Sequence, residues 1–264
     1  MEVDRKIQQK NLERLVRNKG FQFTDVFFPY TSGQIGPYYV QSADVMKKGS
    51  DYHAACIDMA KTISYYSNLN NIISGGESRD WIFSYPVAAM LELPHAAIYK
   101  DGKTIGAEMK DKQIVHVADL NNEGSSPRDL WVPAIKKAGG IINDIFFYVD
   151  RMEEGTEVMK ELGLNSYAVV PLDQQAWDYL QKINVVTPEI YKSLSERGQT
   201  KESRKEWAVK MLRSDIGFVK FLELYNNPKT QEKAKKILDK GYPELKDEIQ
   251  AVLDIEIKKD PSLK

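Results

Sequence analysis

The stretch Ile114-Val-His-Val-Ala-Asp-Leu-Asn-Asn-Glu-Gly-Ser-Ser-Pro-Arg-Asp-Leu-Trp-Val-Pro-Ala-Ile-Lys-Lys-Ala-Gly-Gly140 decides the fold. An apolar β-rich run ends in an acidic residue, Asp119, passes through a loop of small residues and enters a helical pattern. Ser125 or Ser126 suits a helix cap, Pro127 the first helical position, Asp129 the positive end of the helix, and Gly139-Gly140 the stop. A small-residue loop at a helix N-terminus presents unpaired amide N–H groups and a positive dipole end, which together favour a phosphate. An ordinary capped helix would have the same appearance.

Outward from this unit, β-rich and helical runs alternate. The patterns predict a helix over residues 51–67, strands near 71–74, 96–99, 114–118, 141–149 and 167–170, and helices near 82–92, 127–138 and 154–162. Such alternation predicts βαβ units, an α/β fold with a mainly parallel sheet flanked by helices, and ligands beyond the carboxyl ends of the strands. Before it come an amphipathic helix over residues 5–19, stopped by Gly20, and a Gly/Pro/Ser-rich loop or hairpin at 30–39. From about residue 188 the sequence is polar and helical, with Trp207, Met211, Phe218, Leu222 and Tyr225 at helical spacing. The expected division is an α/β domain over 1–187 and a helical C-terminal extension over 188–264.

Composition excludes several classes. A chain of 264 residues with 42% hydrophobic and 28% charged residues can bury a full core. Its 37 basic and 38 acidic residues leave a net charge of −1, so no global field draws it to nucleic acid or an anionic membrane. The single cysteine, Cys56, forms no internal disulfide and suits a reducing compartment. No stretch approaches the roughly 20 apolar residues that span a bilayer, and a cytoplasmic location is expected. The three histidines lack metal-ligand spacing; His116 reads as a packed core residue. Neither a G-x-S-x-G elbow nor a Walker-type phosphate loop is present.

Five segments carry a resemblance in order: SGQIGPYYV at 32–40, ISGGESRDW at 73–81, YKDGKTIG at 99–106, VADLNNEGSS at 117–126 and FYVDRMEEG at 147–155. They resemble the motifs of orotate phosphoribosyltransferases, over roughly residues 8–190. The fourth is similar to the phosphoribosyl pyrophosphate (PRPP) signature, in which a strand ends in two acidic residues followed by two further residues and Thr-Thr-Gly. Asp119 matches the second acidic residue and Gly124 the glycine, while Ala118, Asn122 and Glu123 depart from the pattern.

The resemblance implies a phosphoribosyltransferase-like fold and transfer of ribose 5-phosphate from PRPP to orotate or a related base. Mg²⁺ would be carried in with the donor and met by Asp119. Asp119, Lys100 and Lys103 would be the catalytic residues, with Tyr99 and Ile105 replacing the arginine and histidine of the mobile loop. Arg79, Asn122, Gly124, Ser125 and Ser126 would bind the phosphates; Tyr38, Tyr39 and Arg151 would meet the base. A homodimer is implied too, because loops of this family close over a neighbouring subunit's site. The substitutions all fall on catalytic motifs, so a non-catalytic homologue acting as a binding or regulatory module, with the helical extension as its partner surface, and a transferase of altered specificity both stay open.

Overall fold

The computed structural model describes residues 4–68 and 71–259. In chain order the elements begin with α1 (Arg5–Arg17), β1 (Phe21–Pro29), β2 (Ile35–Val40) and a 3₁₀ turn at Ser42–Lys47. Then follow α2 (Gly49–Tyr66), β3 (Ile72–Gly76), α3 (Trp81–Met90), β4 (His95–Ile98), β5 (Thr104–Gly106) and β6 (Gln113–Asn121). A π turn at Pro127–Trp131 runs into α4 (Val132–Lys137), followed by β7 (Ile141–Asp150), α5 (Glu154–Glu161), β8 (Asn165–Pro171) and α6 (Gln174–Lys182). The remaining elements are α7 (Pro188–Arg197), α8 (Lys201–Arg213), α9 (Asp215–Asn226), α10 (Gln231–Lys236), a π turn at Ile237–Gly241, a 3₁₀ turn at Pro243–Leu245 and α11 (Lys246–Lys259).

These elements form two compact units. The first comprises residues 1–21 and 41–185, the second residues 22–40 and 186–264. The sequence pattern places a boundary after residue 187, and the structure differs in one respect: the β1–β2 hairpin belongs with the C-terminal helices. Phe27 and Ile35 of the hairpin share a buried cluster with Trp207, Leu212, Phe221 and Tyr242. The Tyr242 hydroxyl accepts the Ile35 N–H at 3.3 Å and donates to Gln34 Oε1 at 2.9 Å. A two-stranded hairpin has no core of its own, so its apolar side chains need a partner.

In the first unit the sheet order is β5-β4-β3-β6-β7-β8. All pairs are parallel except β4 with β5. Strands of such a sheet are covered on both faces, and the continuous buried run Phe146-Phe147-Tyr148-Val149 in β7 shows it. The chain leaves β3 toward β4 on one side and returns to β6 on the other. The topological switch point therefore lies between the carboxyl ends of β3 and β6, where a sheet of this kind opens a ligand crevice.

Local sequence explains most boundaries. Asp4 caps α1 by accepting the N–H groups of Lys6 and Ile7 at 3.0 and 3.1 Å. That helix ends at Arg17, short of the pattern's limit, and Lys19 sits in the left-handed region at φ 60° before Gly20. The larger difference is at the helix after β6. Neither expected serine caps it: the helical run opens at Ser125, Ser126 already has helical dihedrals and its side chain caps nothing, and the Gly124 carbonyl takes the first bond, from Arg128 N–H at 3.2 Å. Gly124 has φ 70°, and a Cβ there would meet the Val158 side chain at 2.7 Å. Backbone conformation and close packing on α5 both require glycine, so a residue without a side chain holds the capping position.

Candidate active site

Asp119 stands near the carboxyl end of β6, 8% exposed. The Ser42 hydroxyl donates to its Oδ2 at 2.7 Å. Across the switch point, in the loop between β3 and α3, lies Asp80, which is 3% exposed. Asp80 Oδ1 accepts the Asp119 amide N–H at 3.0 Å, and its Oδ2 accepts the Gly76 N–H at 3.1 Å. Burial pushes the Asp80 carboxyl up to about 7, against the pull of these hydrogen bonds. Burial first, and then repulsion from Asp80, pushes Asp119 up to about 6. Two buried carboxylates so close disfavour double ionisation unless a cationic ligand arrives.

In the sequence Asp80 lies within the ISGGESRDW motif beside Arg79, and only the fold brings it to Asp119. His116 completes the cluster. It is fully buried, stacked on Trp131 with ring centroids 4.4 Å apart, and shares a 2.9 Å hydrogen bond between Nδ1 and Ser74 Oγ. Burial holds its pKa down at about 3, so the ring is neutral. The expected core role for His116 is what the structure shows.

The phosphate side follows from the turn after β6. Gly124 is buried, Ser125 and Ser126 are exposed, and Asn122 is half-buried with its carbonyl accepting the Gly155 N–H at 2.9 Å. Glu123 is exposed, out of the turn's interior. The helix beginning at Ser125 leaves its first amide N–H groups without intrahelical acceptors, which suits an anion.

Arg79 is exposed and donates to Gln41 Oε1 at 2.9 Å, not to Glu77 or Asp80. The segment 99–106, which resembles the family's mobile loop, comprises the turn after β4 and antiparallel β5 itself. Tyr99 N–H donates to the Lys103 carbonyl at 2.8 Å, and Tyr99 packs edge-on against Trp81. Lys100 and Lys103 stand exposed on that turn, and the Lys100 amide donates to Glu77 Oε2 at 3.0 Å.

Of the residues expected to meet a base, Arg151 follows β7 beside the end of β6, its N–H donating to the Asn121 carbonyl at 3.1 Å. Tyr38 and Tyr39 belong to the second unit. Tyr38 is 1% exposed with the Arg197 guanidinium 5.7 Å from its ring centroid, so its ring is a packing surface there; Tyr39 is exposed, beside Phe28. Arg151 is buried at the end of β7, where Nη2 donates to Glu153 Oε1 at 3.0 Å. Its carboxylate partner is already in place. Neighbouring Asp150 accepts from Asn121 Nδ2 and the Met152 N–H, and burial pushes it up to about 6.

No protein-family model matches the chain. The orotate phosphoribosyltransferase of Staphylothermus marinus is 30% identical over 157 residues, covering 57% of this chain and 74% of that protein. The chain belongs to the orotate phosphoribosyltransferase family. The orotate phosphoribosyltransferase of Sulfolobus acidocaldarius is 25% identical over 178 residues, 64% of this chain and 87% of that protein.

Solved structures share the fold. The orotate phosphoribosyltransferase of Francisella tularensis superposes with a TM-score of 0.61 at 16% identity, over 70% of this chain and 96% of that one. The UMP synthase of Leishmania donovani gives 0.64 at 19% identity over 71% of this chain; the match spans 41% of that longer protein. Phosphoribosyltransferase topology is thus the frame in which Asp119, Asp80 and the Gly124 turn meet. Among the described residues no helix is long and apolar enough to cross a membrane.

Proposed function

We propose that this chain is a phosphoribosyltransferase that moves ribose 5-phosphate from PRPP to orotate or a related base and releases pyrophosphate. The observation that carries the reading is the position of Asp119: a buried carboxylate at the switch point, on the strand that leads into the Gly124 turn. In this reading a ring nitrogen of the base bonds to C1 of the donor ribose as the bond from C1 to the pyrophosphate oxygen breaks, and the proton of that nitrogen leaves with the pyrophosphate. Positive charge develops on the ribose and faces Asp119, a preorganised anion in a partly dry crevice. Gly124, Ser125 and Ser126 cradle the 5′-phosphate through backbone and hydroxyl donors, with Asn122 beside them. Arg79, Lys100 and Lys103 receive the departing pyrophosphate charge.

The donor set fits magnesium as a companion of the substrate. Among the described residues no three His, Cys, Asp or Glu side chains converge on a point, and Mg²⁺ bound with a pyrophosphate needs only one or two carboxylate oxygens. Asp119 would hold it, and the ion would spread the negative charge of the leaving group. The same reading carries a homodimer, which light scattering checks.

One set of observations favours a second reading, a non-catalytic homologue. Tyr38 is covered by Arg197, Arg151 is engaged by Glu153, and Asn122 and Glu123 stand where the signature has threonines. Calorimetric titration of PRPP with Mg²⁺ into the wild type and Asp119→Ala, followed by an orotate-consumption assay, separates the two. The transferase reading expects binding that weakens about tenfold or more in the variant, with turnover in the wild type. Absence of binding at millimolar donor refutes it; binding without turnover selects the non-catalytic homologue.

A further inference from the structure

Ala118 deprives one face of β6 of the acidic side chain that the PRPP signature places there. Alternate residues of a strand share a face, so a carboxylate at 118 would lie on the side of His116. A carboxylate does stand on that side, and it comes from another element. Asp80 Oδ2 is 3.9 Å from His116 Nε2, a fully buried nitrogen that has no hydrogen-bond partner. The same carboxylate spans the switch point, taking the Gly76 amide on one oxygen and the Asp119 amide on the other. A side chain at Gly76 would collide with Trp131 Nε1 at 2.1 Å and Asp80 Oδ2 at 2.7 Å, so the bare backbone there is what lets the clamp close.

We propose that Asp80 replaces the acidic residue missing at 118, as a positioning residue that clamps the loop after β3 to the end of β6 and aims Asp119 at the donor ribose. The inference rests on the PRPP reading above. Both oxygens accept from backbone N–H groups, and a carboxylate is the side chain that offers two acceptors in this fork. An asparagine of the same size turns a donor toward one of the two amides. The acidic group has moved from the strand to the adjoining loop, and with it the burden of orienting Asp119.

The test uses the full chain and three variants: Asp80→Asn, Ala118→Asp, and the two combined. Amide hydrogen exchange at Gly76 and Asp119 reads the clamp in the free protein, and calorimetry with PRPP and Mg²⁺ reads its consequence. Asp80→Asn is expected to speed exchange at both amides and weaken donor binding about tenfold or more, with the melting temperature close to that of the wild type. Ala118→Asp is expected to recover part of that affinity when combined with Asp80→Asn, and to weaken the wild type by adding a third buried carboxylate. Unchanged exchange and unchanged affinity in Asp80→Asn overturn the proposal. So does a loss that follows the melting temperature and that Ala118→Asp does not recover, if exchange at the two amides is also unchanged. A wild type that binds no donor overturns the PRPP reading itself, and that outcome is seen before any substitution is made.

Discussion

Replacing Gly124 by alanine puts a methyl group where the backbone has φ 70° and the Val158 side chain is 2.7 to 3.1 Å from the new atom. Two costs add. A non-glycine residue forced into the left-handed region costs about 1–2 kcal/mol. Overpacking against a buried, β-branched side chain that has little rotameric freedom costs about 1–3 kcal/mol more. The sum, about 2–5 kcal/mol, is a large part of the stability of an ordinary domain. Val158→Ala alone should cost about 2 kcal/mol for the two buried methyl groups it removes. In the double variant the contacts with the two γ carbons, at 2.9 and 3.1 Å, disappear while the 2.7 Å approach of the Val158 Cβ and the dihedral strain stay, so the combined loss should fall short of additivity by about 1 kcal/mol. Urea unfolding of the four proteins closes the cycle. A Gly124→Ala loss below about 0.5 kcal/mol, or strictly additive losses, would refute the reasoning that this turn needs glycine for both reasons.

Three further outcomes are expected. Asp150 is raised in the folded state to about 6, above its unfolded value of about 3.9, so the folded protein binds the extra proton between those limits. Stability from this group is full below about pH 4 and falls by about 3 kcal/mol as pH rises through 6; Asp150→Asn should flatten that part of a denaturation profile. The Asn121 Oδ1 atom has no hydrogen-bond partner, so an amide flip there can accept from the side-chain amide that this substitution introduces and keep the loss at pH 5 small. Phe27→Ala in the hairpin and Phe221→Ala in α9 remove side chains 1% and 0% exposed from one cluster. Each should cost about 3–5 kcal/mol, and calorimetry should show both acting on the same transition. Lys100→Ala and Lys103→Ala, both at exposed turn positions, should change stability by less than about 0.5 kcal/mol. Pyrophosphate affinity should nonetheless fall in each, as titration would show.

Alternation of β-rich and helical runs was enough to determine the parallel sheet, because burial on both faces leaves continuous apolar strands that periodicity can find. The five ordered motifs likewise led to the family, and Asp119 could be picked out because it ends such a strand. Four things had to wait for tertiary structure. Asp80 lies inside a quoted motif that does not say which strand it will meet, and its role exists only because β3 and β6 are neighbours in space though far apart in sequence. Gly124 outcompetes two good capping serines because α5 packs against it, a constraint no window around residue 124 contains. Arg151 and Tyr38 matched motif positions, and the fold adds what no motif specifies: Glu153 within hydrogen-bond distance of the one and the Arg197 guanidinium over the ring of the other. The hairpin at 22–40 reads as part of the α/β domain by position. It lies with the C-terminal helices because its apolar face must be buried somewhere, and chain order does not say where.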